Sequence, residues 1–237
     1  MSGRVLKDRI ALITGASRGI GAATAHCFAN EGAHVLLLGR DQKTLETVDD
    51  DIKAAGGNAS IIPLNLEDGT TIDALGPSLY ERFGHLDIFI GNAGILGGLR
   101  PLTHVPSDLW DRVIATNLTA NWRLIRTLDP LLRRADAGRV VFVTSSRVAG
   151  LGPAYWAPYS VSKAALETLA RTYANETADS PVKVNMVDPG ATATFMRAEA
   201  YPGEDQSTIR TPEQVAEVIL RLARTDMAET GQIVGVA

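Results

Sequence analysis

Tyr159 and Lys163 stand four residues apart in the stretch APYSVSKAAL. On a helix that spacing turns about 400° and rises about 6 Å, so both side chains share one face. Tyrosine has an ordinary pKa near ~10 and is a poor base at neutral pH. A shift of about three units, or roughly 4 kcal/mol, would let it exchange protons there. A lysine ammonium held close favours the phenolate by its charge. The pair is therefore equipped to move a proton to or from a bound oxygen. Taken alone, it also describes an ordinary amphipathic helix start, so the rest of the chain must supply the reaction.

The chain of 237 residues is 45% hydrophobic and 21% charged, with a net charge of -4. It is long enough to bury a substantial core. The negative balance argues against a general grip on nucleic acid and leaves room for a local basic pocket. The single cysteine, Cys27, excludes an internal disulfide and a cysteine-rich metal site. In the apolar stretch AATAHCFAN it reads as a small buried side chain. The four histidines show no metal-ligand spacing, and no metal is expected. MSGRVLKDRI lacks the apolar core of an export signal, and no apolar run approaches the ~20 residues that span a bilayer. A cytoplasmic location with no membrane partner is the expectation.

The elements that must position the pair alternate along the whole chain. β-rich runs occur at 10–15, 33–39, 59–65, 86–92, 138–146, 182–188 and 231–237. Helical patterns lie at 19–31, 41–55, 69–83, 107–135, 158–178 and 212–224. Several runs are almost continuously apolar, as strands buried on both faces of a parallel sheet must be. The pattern predicts an α/β fold: a single doubly wound Rossmann-type domain over 1–237. Its sheet should have seven strands, mainly parallel, flanked by helices. Ser107 is expected to cap the helix of SDLWDRVIATNL, and Thr211-Pro212 has the cap-then-proline order of a helix start. The segment 189–210 breaks the rhythm. Loops of that length are often lids, and Phe195, Met196 and Tyr201 suit one closing over an apolar ligand; a disordered surface excursion is the other reading.

TGASRGIG, residues 14–21, follows the first strand and opens the first long helix. In a doubly wound fold, a dinucleotide pyrophosphate meets a helix N-terminus there. Gly15 would permit the tight turn, Gly19 the close approach of backbone to cofactor, and Gly21 close helix packing. The end of the second strand reads VLLLGRDQ. The position where a carboxylate would bind ribose hydroxyls is Gly39, and Arg40 follows with a fork of donors suited to phosphate. Arg18 could approach the same phosphate from the glycine turn. These residues favour NADP(H), with NAD(H) left open. Asp41 is either a ribose ligand or the N-cap of QKTLETV.

At this point the chain resembles a short-chain dehydrogenase/reductase over nearly its full length. TGASRGIG matches that family's cofactor turn, and GNAG at 91–94 is similar to its N-N-A-G segment. Asn117 in ATNLTAN matches its helix asparagine. VTSS precedes YSVSK at the family's distance, and DPG at 188–190 resembles its P-G turn. Gly91 departs from the first asparagine of N-N-A-G, Asn65 stands where an aspartate is common, and the chain ends soon after its last apolar run.

The resemblance implies hydride transfer between a nicotinamide and a carbonyl or secondary alcohol, with Tyr159 as general acid/base. Lys163 would also reach the nicotinamide ribose. Ser146, thirteen residues before Tyr159, would hydrogen-bond the substrate oxygen, with Ser145 the structural neighbour. Asn117 would hold a water beside Lys163. The implied cofactor contacts are Gly15, Ser17, Arg18, Gly19, Ile20 and Gly21 in the turn, with Arg40, Asn65 and Leu66 at the adenosine end. Asn92, Ala93 and Gly94 would line the cofactor. Pro189, Gly190, Thr192 and Thr194 would meet the nicotinamide amide. Ile95, Leu96, Arg147, Val148, Tyr155, Trp156, Phe195 and Met196 would wall a pocket for a small molecule with an apolar body. Other readings are a reductase of carrier-bound 3-oxoacyl chains, docked through Arg123, Arg126, Arg133 and Arg134, and a non-catalytic dinucleotide sensor. A run of arginines is more often a solvated face. A homodimer or homotetramer joined through 107–135 and 158–178 is the family's habit.

Overall fold

In the computed structural model, which describes residues 4–236, the apolar segments become seven strands. They are β1 (Ile10–Thr14), β2 (His34–Gly39), β3 (Asn58–Pro63), β4 (Ile88–Gly91), β5 (Arg139–Val143), β6 (Lys183–Asp188) and β7 (Ile233–Gly235). One sheet holds them in the order β3-β2-β1-β4-β5-β6-β7. Every neighbouring pair is parallel, so the sheet is parallel throughout. Alternate residues face opposite layers: Ile13 and Val141 enter one core, and Leu12, Phe89 and Phe142 enter the other. That double burial explains the continuous apolar runs. Strand order reverses between β1 and β4, which opens a crevice at their carboxyl ends.

Three helices cover each face. α1 (Gly19–Asn30), α2 (Gln42–Ala54) and α9 (Pro212–Ala223) bury Phe28, Leu45 and Ile219 against one side. α3 (Gly69–Phe83), α5 (Ala120–Leu132) and α7 (Ala157–Glu176) bury Leu75, Leu128 and Leu166 against the other. The remaining helices are α4 (Ser107–Ile114), α6 (Ser146–Leu151) and α8 (Phe195–Ala200).

Several boundaries differ from the sequence reading. The long helix expected over 107–135 is α4 and α5 joined by a π-helical turn at Ala115–Thr119. Ser107 is the first helical residue and caps nothing through its side chain; Pro106 precedes it. At α9 the cap-then-proline reading is right, and the Thr211 N–H donates to Gln214 Oε1 at 2.9 Å. The last apolar run shortens to three strand residues, and Ala237 lies outside the described residues. The segment 189–210 is folded. A parallel bridge between Thr192 and Arg210 closes its base, α8 lies inside it, and Arg197 holds Glu204 with two bonds of 2.5 Å.

Gly91, the departure within GNAG, has a packing cause. A side chain there would overlap the Phe142 ring and come within 2.8 Å of Asn121 Oδ1. Phe142 and Asn121 fill the space that an asparagine would need.

Candidate active site

The turn after β1 is built to bring backbone close to a ligand. Gly15 and Gly19 both adopt left-handed backbone angles, φ 65° and 56°. A Cβ on Gly15 would lie 3.0 Å from Ala93 Cα, and one on Gly21 would overlap the Gly15 carbonyl oxygen. Gly21 therefore packs inward and does not line the cleft, unlike the other turn residues predicted. Thr14 Oγ1 accepts from the Asn92 and Ala93 N–H groups, each at 3.0 Å. Asn92 Nδ2 donates to the Thr14 carbonyl at 2.8 Å. The glycine turn and the segment after β4 are thus held as one unit. No side chain caps the start of α1, so its first N–H groups remain for an anion.

From this unit a cleft of about 1660 Å³ runs both ways. One end is lined by Arg40, Asn65 and Leu66, and the other reaches Ser145, Tyr159 and Lys163. Arg40 is exposed and meets Glu67 at 3.7 Å. Asp41 caps α2, accepting from the N–H groups of Lys43 and Thr44 at 3.0 and 3.3 Å. Its carboxylate takes the N-cap role of the two that the sequence left open.

Tyr159 and Lys163 share one face of the first turns of α7 and are both buried. Lys163 Nζ donates to the Val143 carbonyl at 2.7 Å and lies 5.6 Å from the centre of the Tyr159 ring. Burial pushes the Tyr159 phenol up to about 12; a hydrogen bond from Ser145 opposes this and the Asp188 charge adds to it. The downward shift expected from Lys163 is not found; burial dominates, and what opposes it comes from Ser145. Burial lowers Lys163 to about 8, and Glu167, one helical turn on, holds it up.

The two serines exchange the places expected of them. Ser145 lines the cleft and meets the Tyr159 side chain. The Ser146 hydroxyl is enclosed, without a hydrogen-bond partner, on the first turn of α6. Counting back from Tyr159 selected the serine whose hydroxyl is enclosed. Gly152 and Tyr155 take left-handed angles, φ 54° and 75°, between α6 and α7, so residue count does not determine facing. Tyr155 itself is 58% exposed and is absent from the cleft wall, whereas Trp156, Phe195 and Met196 line it.

Asn117 lies inside the π-helical turn. Its Oδ1 accepts from the Ile95 N–H at 2.8 Å, and its Nδ2 donates to the Ile95 carbonyl and to Ser162 Oγ, each at 3.0 Å. The Asn117 carbonyl accepts from Asn121 Nδ2 at 2.8 Å. Its amide is thus engaged in tying the segment after β4 to α7. The widened turn is what lets the side chain reach both.

Over the cleft, Thr194 caps α8 and stands where a Cβ on Gly19 would touch it at 3.4 Å. Thr192 Oγ1 donates to the Pro189 carbonyl at 3.0 Å, and Gly190 also lines the wall. Phe195 lies under the Arg18 guanidinium, 4.7 Å from it. Tyr201 approaches Trp156 at 5.9 Å between ring centres, and Trp156 approaches Tyr159 at 6.0 Å.

Asp188 was missed as a site residue. It accepts from the Ser146 and Gly190 N–H groups, each at 3.1 Å, and so fixes α6 and the P-G turn together. DPG carried it in plain view, but nothing local says which backbone groups it will reach. Among the arginines proposed as a docking face, Arg123 and Arg126 both bind Asp73, at 2.7 and 2.6 Å. Arg133 binds Asp129 at 2.8 Å and Arg134 donates to the Gly84 carbonyl. The cluster is locally paired. Among the described residues no His, Cys, Asp or Glu group could hold a metal, and no helix is long and apolar enough to cross a membrane.

Residues 9–205 match the family model for short chain dehydrogenases. The uncharacterized oxidoreductase YciK of Escherichia coli K12 is 36% identical over 225 residues, covering 94% of this chain and 88% of that protein. A solved Pseudomonas syringae structure described as a short chain dehydrogenase superposes with a TM-score of 0.94. It is 40% identical and covers 99% of this chain and 96% of the other. A Shigella flexneri 2a structure in complex with NADP has a TM-score of 0.94 and 34% identity, with 99% of each chain covered.

Proposed function

The chain belongs to the short-chain dehydrogenase family, and on that premise we propose that it is an NADP(H)-preferring reductase of carbonyl compounds. The observation that carries this reading is the buried Tyr159 phenol, with Ser145 against it and Lys163 beside its ring, in the cleft that starts at the glycine turn. A nicotinamide held there supplies the hydride. The residues present suit such a cofactor: Gly15 and Gly19 bring bare backbone to the turn in left-handed angles, and no side chain caps the first N–H groups of α1.

Tyr159 is neutral at pH 7, as an ordinary phenol is, and burial holds it so by raising it to about 12, which fits a proton donor in carbonyl reduction. Ser145 is placed to donate to the substrate oxygen as negative charge grows there. The Lys163 ammonium stabilises the phenolate left behind. Asn117 positions the Ile95 segment and α7 around them.

One contrast separates the two serines. Ser145→Ala should lower kcat by roughly 10²-fold, the usual loss of one oxyanion donor. Ser146→Ala should leave kcat close to wild type. Steady-state rates of the two variants decide it, and a larger loss in Ser146→Ala would reverse the assignment.

NADP(H) preference is supported by Gly39 in place of a carboxylate, by Asp41 being used as a cap, and by Arg40. The Arg40–Glu67 pair is exposed and loose at 3.7 Å, so a 2′-phosphate can displace it. The similar Shigella flexneri structure holds NADP. A screen of NADPH and NADH against ketones and aldehydes tests the function directly; tight NADPH binding with no turnover on any would reject it. Arg40→Ala should raise the NADPH KM about 10- to 100-fold, the worth of a charge-assisted hydrogen bond, with NADH barely affected. An equal loss for both cofactors would contradict the phosphate role.

A further inference from the structure

We propose that Arg100 binds an anionic tail, a carboxylate or a phosphate, on the substrate. The preferred substrates are then carbonyl compounds with an apolar body that ends in an oxyanion. This rests on the carbonyl-reductase reading above and names its substrate class.

Arg100 is half-buried and lines the cleft. Its Nε is enclosed with no hydrogen-bond partner, and among the described residues its guanidinium joins no ion pair. Of the other cations of the cleft, Arg147 is exposed and so hydrated, and the rest have company. Arg40 and Arg112 meet Glu67 at 3.7 and 4.0 Å, and Arg197 holds Glu204 at 2.5 Å. Arg18 stacks on Phe195. A guanidinium N–H that gives up hydration without gaining an acceptor is costly. An oxyanion ligand would supply both the charge and the lone pairs, and the planar fork suits two such oxygens at once.

The side chain is also held in the wall. Gly97 and Gly98 both take left-handed angles, φ 80° and 69°, and the loop folds so that Arg100 Nη2 lies 3.0 Å from where a Gly98 Cβ would be. The Arg100 N–H donates to the Tyr155 carbonyl at 3.1 Å. This fastens the loop to the segment leading into α7, whose Trp156 ring is 6.0 Å from that of Tyr159. Leu96, Leu109 and Trp156 supply apolar wall in the same cleft. That lining calls for an apolar body on a molecule that uses both Tyr159 and Arg100.

Titration calorimetry in the presence of NADP⁺ tests this with three probes that cannot be reduced: phenylbutanoate, phenylpropyl phosphate and the neutral phenylbutanol. Wild type should bind at least one anion about ten-fold or more tighter than the alcohol, the scale of one charge-assisted contact. Arg100→Met should erase that margin, and Arg100→Lys should keep part of it. The carboxylate and phosphate arms show which oxyanion is preferred. In a parallel assay, the kcat/KM ratio for an aromatic keto acid over its methyl ester should fall about ten-fold in Arg100→Met. Equal affinity of wild type for anions and alcohol, or a margin surviving in Arg100→Met, overturns the proposal. The outcomes separate the two claims. An anion margin that depends on Arg100, without reduction of any carbonyl, would sink the reductase reading alone. Turnover with no anion margin would sink only the Arg100 assignment.

Discussion

Tyr159→Phe is expected to lower carbonyl reduction by about a hundred- to ten-thousand-fold while NADPH affinity stays within about two-fold of wild type. The substitution removes one oxygen and keeps the ring, which is 8% exposed and packed edge-on to Trp156 at 6.0 Å. Lys163 keeps its bond to the Val143 carbonyl, so the floor of the cleft is undisturbed. What is lost is the proton donor. No other side chain that meets the Tyr159 oxygen carries a readily transferred proton: Ser145 has only a hydroxyl, and Lys163 lies against the ring. Fluorescence titration of NADPH and steady-state rates measure the two halves of this result. Preserved turnover would remove Tyr159 from the chemistry, and a parallel loss of NADPH affinity would make its role one of binding.

The second large effect lies at the opposite, amino ends of the strands. Arg139→Met should destabilise the fold by roughly 3–5 kcal/mol, the range for breaking a buried charged network. Arg139 opens β5 and is 4% exposed. Its guanidinium donates to five carbonyls: Arg224 at 2.9 Å, Gly138 at 2.8 Å, Pro181 at 3.1 Å, Thr225 at 2.6 Å and Met227 at 3.0 Å. Three of these belong to the chain leaving α9, just past its last turn, where no helical N–H groups take them up. Arg9 stands close by, 7% exposed, and donates to Ala223 at 2.6 Å and to Ala137 at 2.5 Å. Burial, followed by the Arg9 charge, lowers the Arg139 pKa. Both costs are met mainly by the oriented carbonyls, with the Asp226 charge helping. Methionine fills much of the volume but leaves the acceptors without donors. A fall in Tm of roughly 6–20 °C follows for a chain of this size. Denaturant melts check it, and a loss under about 1 kcal/mol would show that water serves these carbonyls adequately. The rate per folded molecule should not change, because the cleft is at the carboxyl ends of the strands.

Arg139 shows where sequence reading stops. In GRVVFVTSS it is one charged residue before an apolar run, indistinguishable from a solvated strand edge. Its partners lie as many as 88 residues away in the chain. Arg100 is similar: only the fold shows that its Nε is enclosed without a partner. The strands, by contrast, were legible because burial on both faces forces a continuous apolar run, a property of neighbouring residues alone. The glycine turn was legible for a related reason. Gly15 and Gly19 have left-handed angles that few other residues adopt, so their demand is written at the positions themselves.

Amino-acid order by itself therefore determined the parallel α/β frame, the phosphate-cradling turn and the pairing of Tyr159 with Lys163 on one helical face. Each depends on periodicity or on local backbone preference. The tertiary structure decided that Ser145 and not Ser146 meets Tyr159, that Asn117 widens its helix to reach Ile95 and Ser162, and that burial sets the Tyr159 phenol high. It also decided that Phe142 and Asn121 occupy the space beside Gly91. Facing after an irregular turn, desolvation and shared volume depend on what packs from elsewhere in the chain, and local spacing carries no record of that.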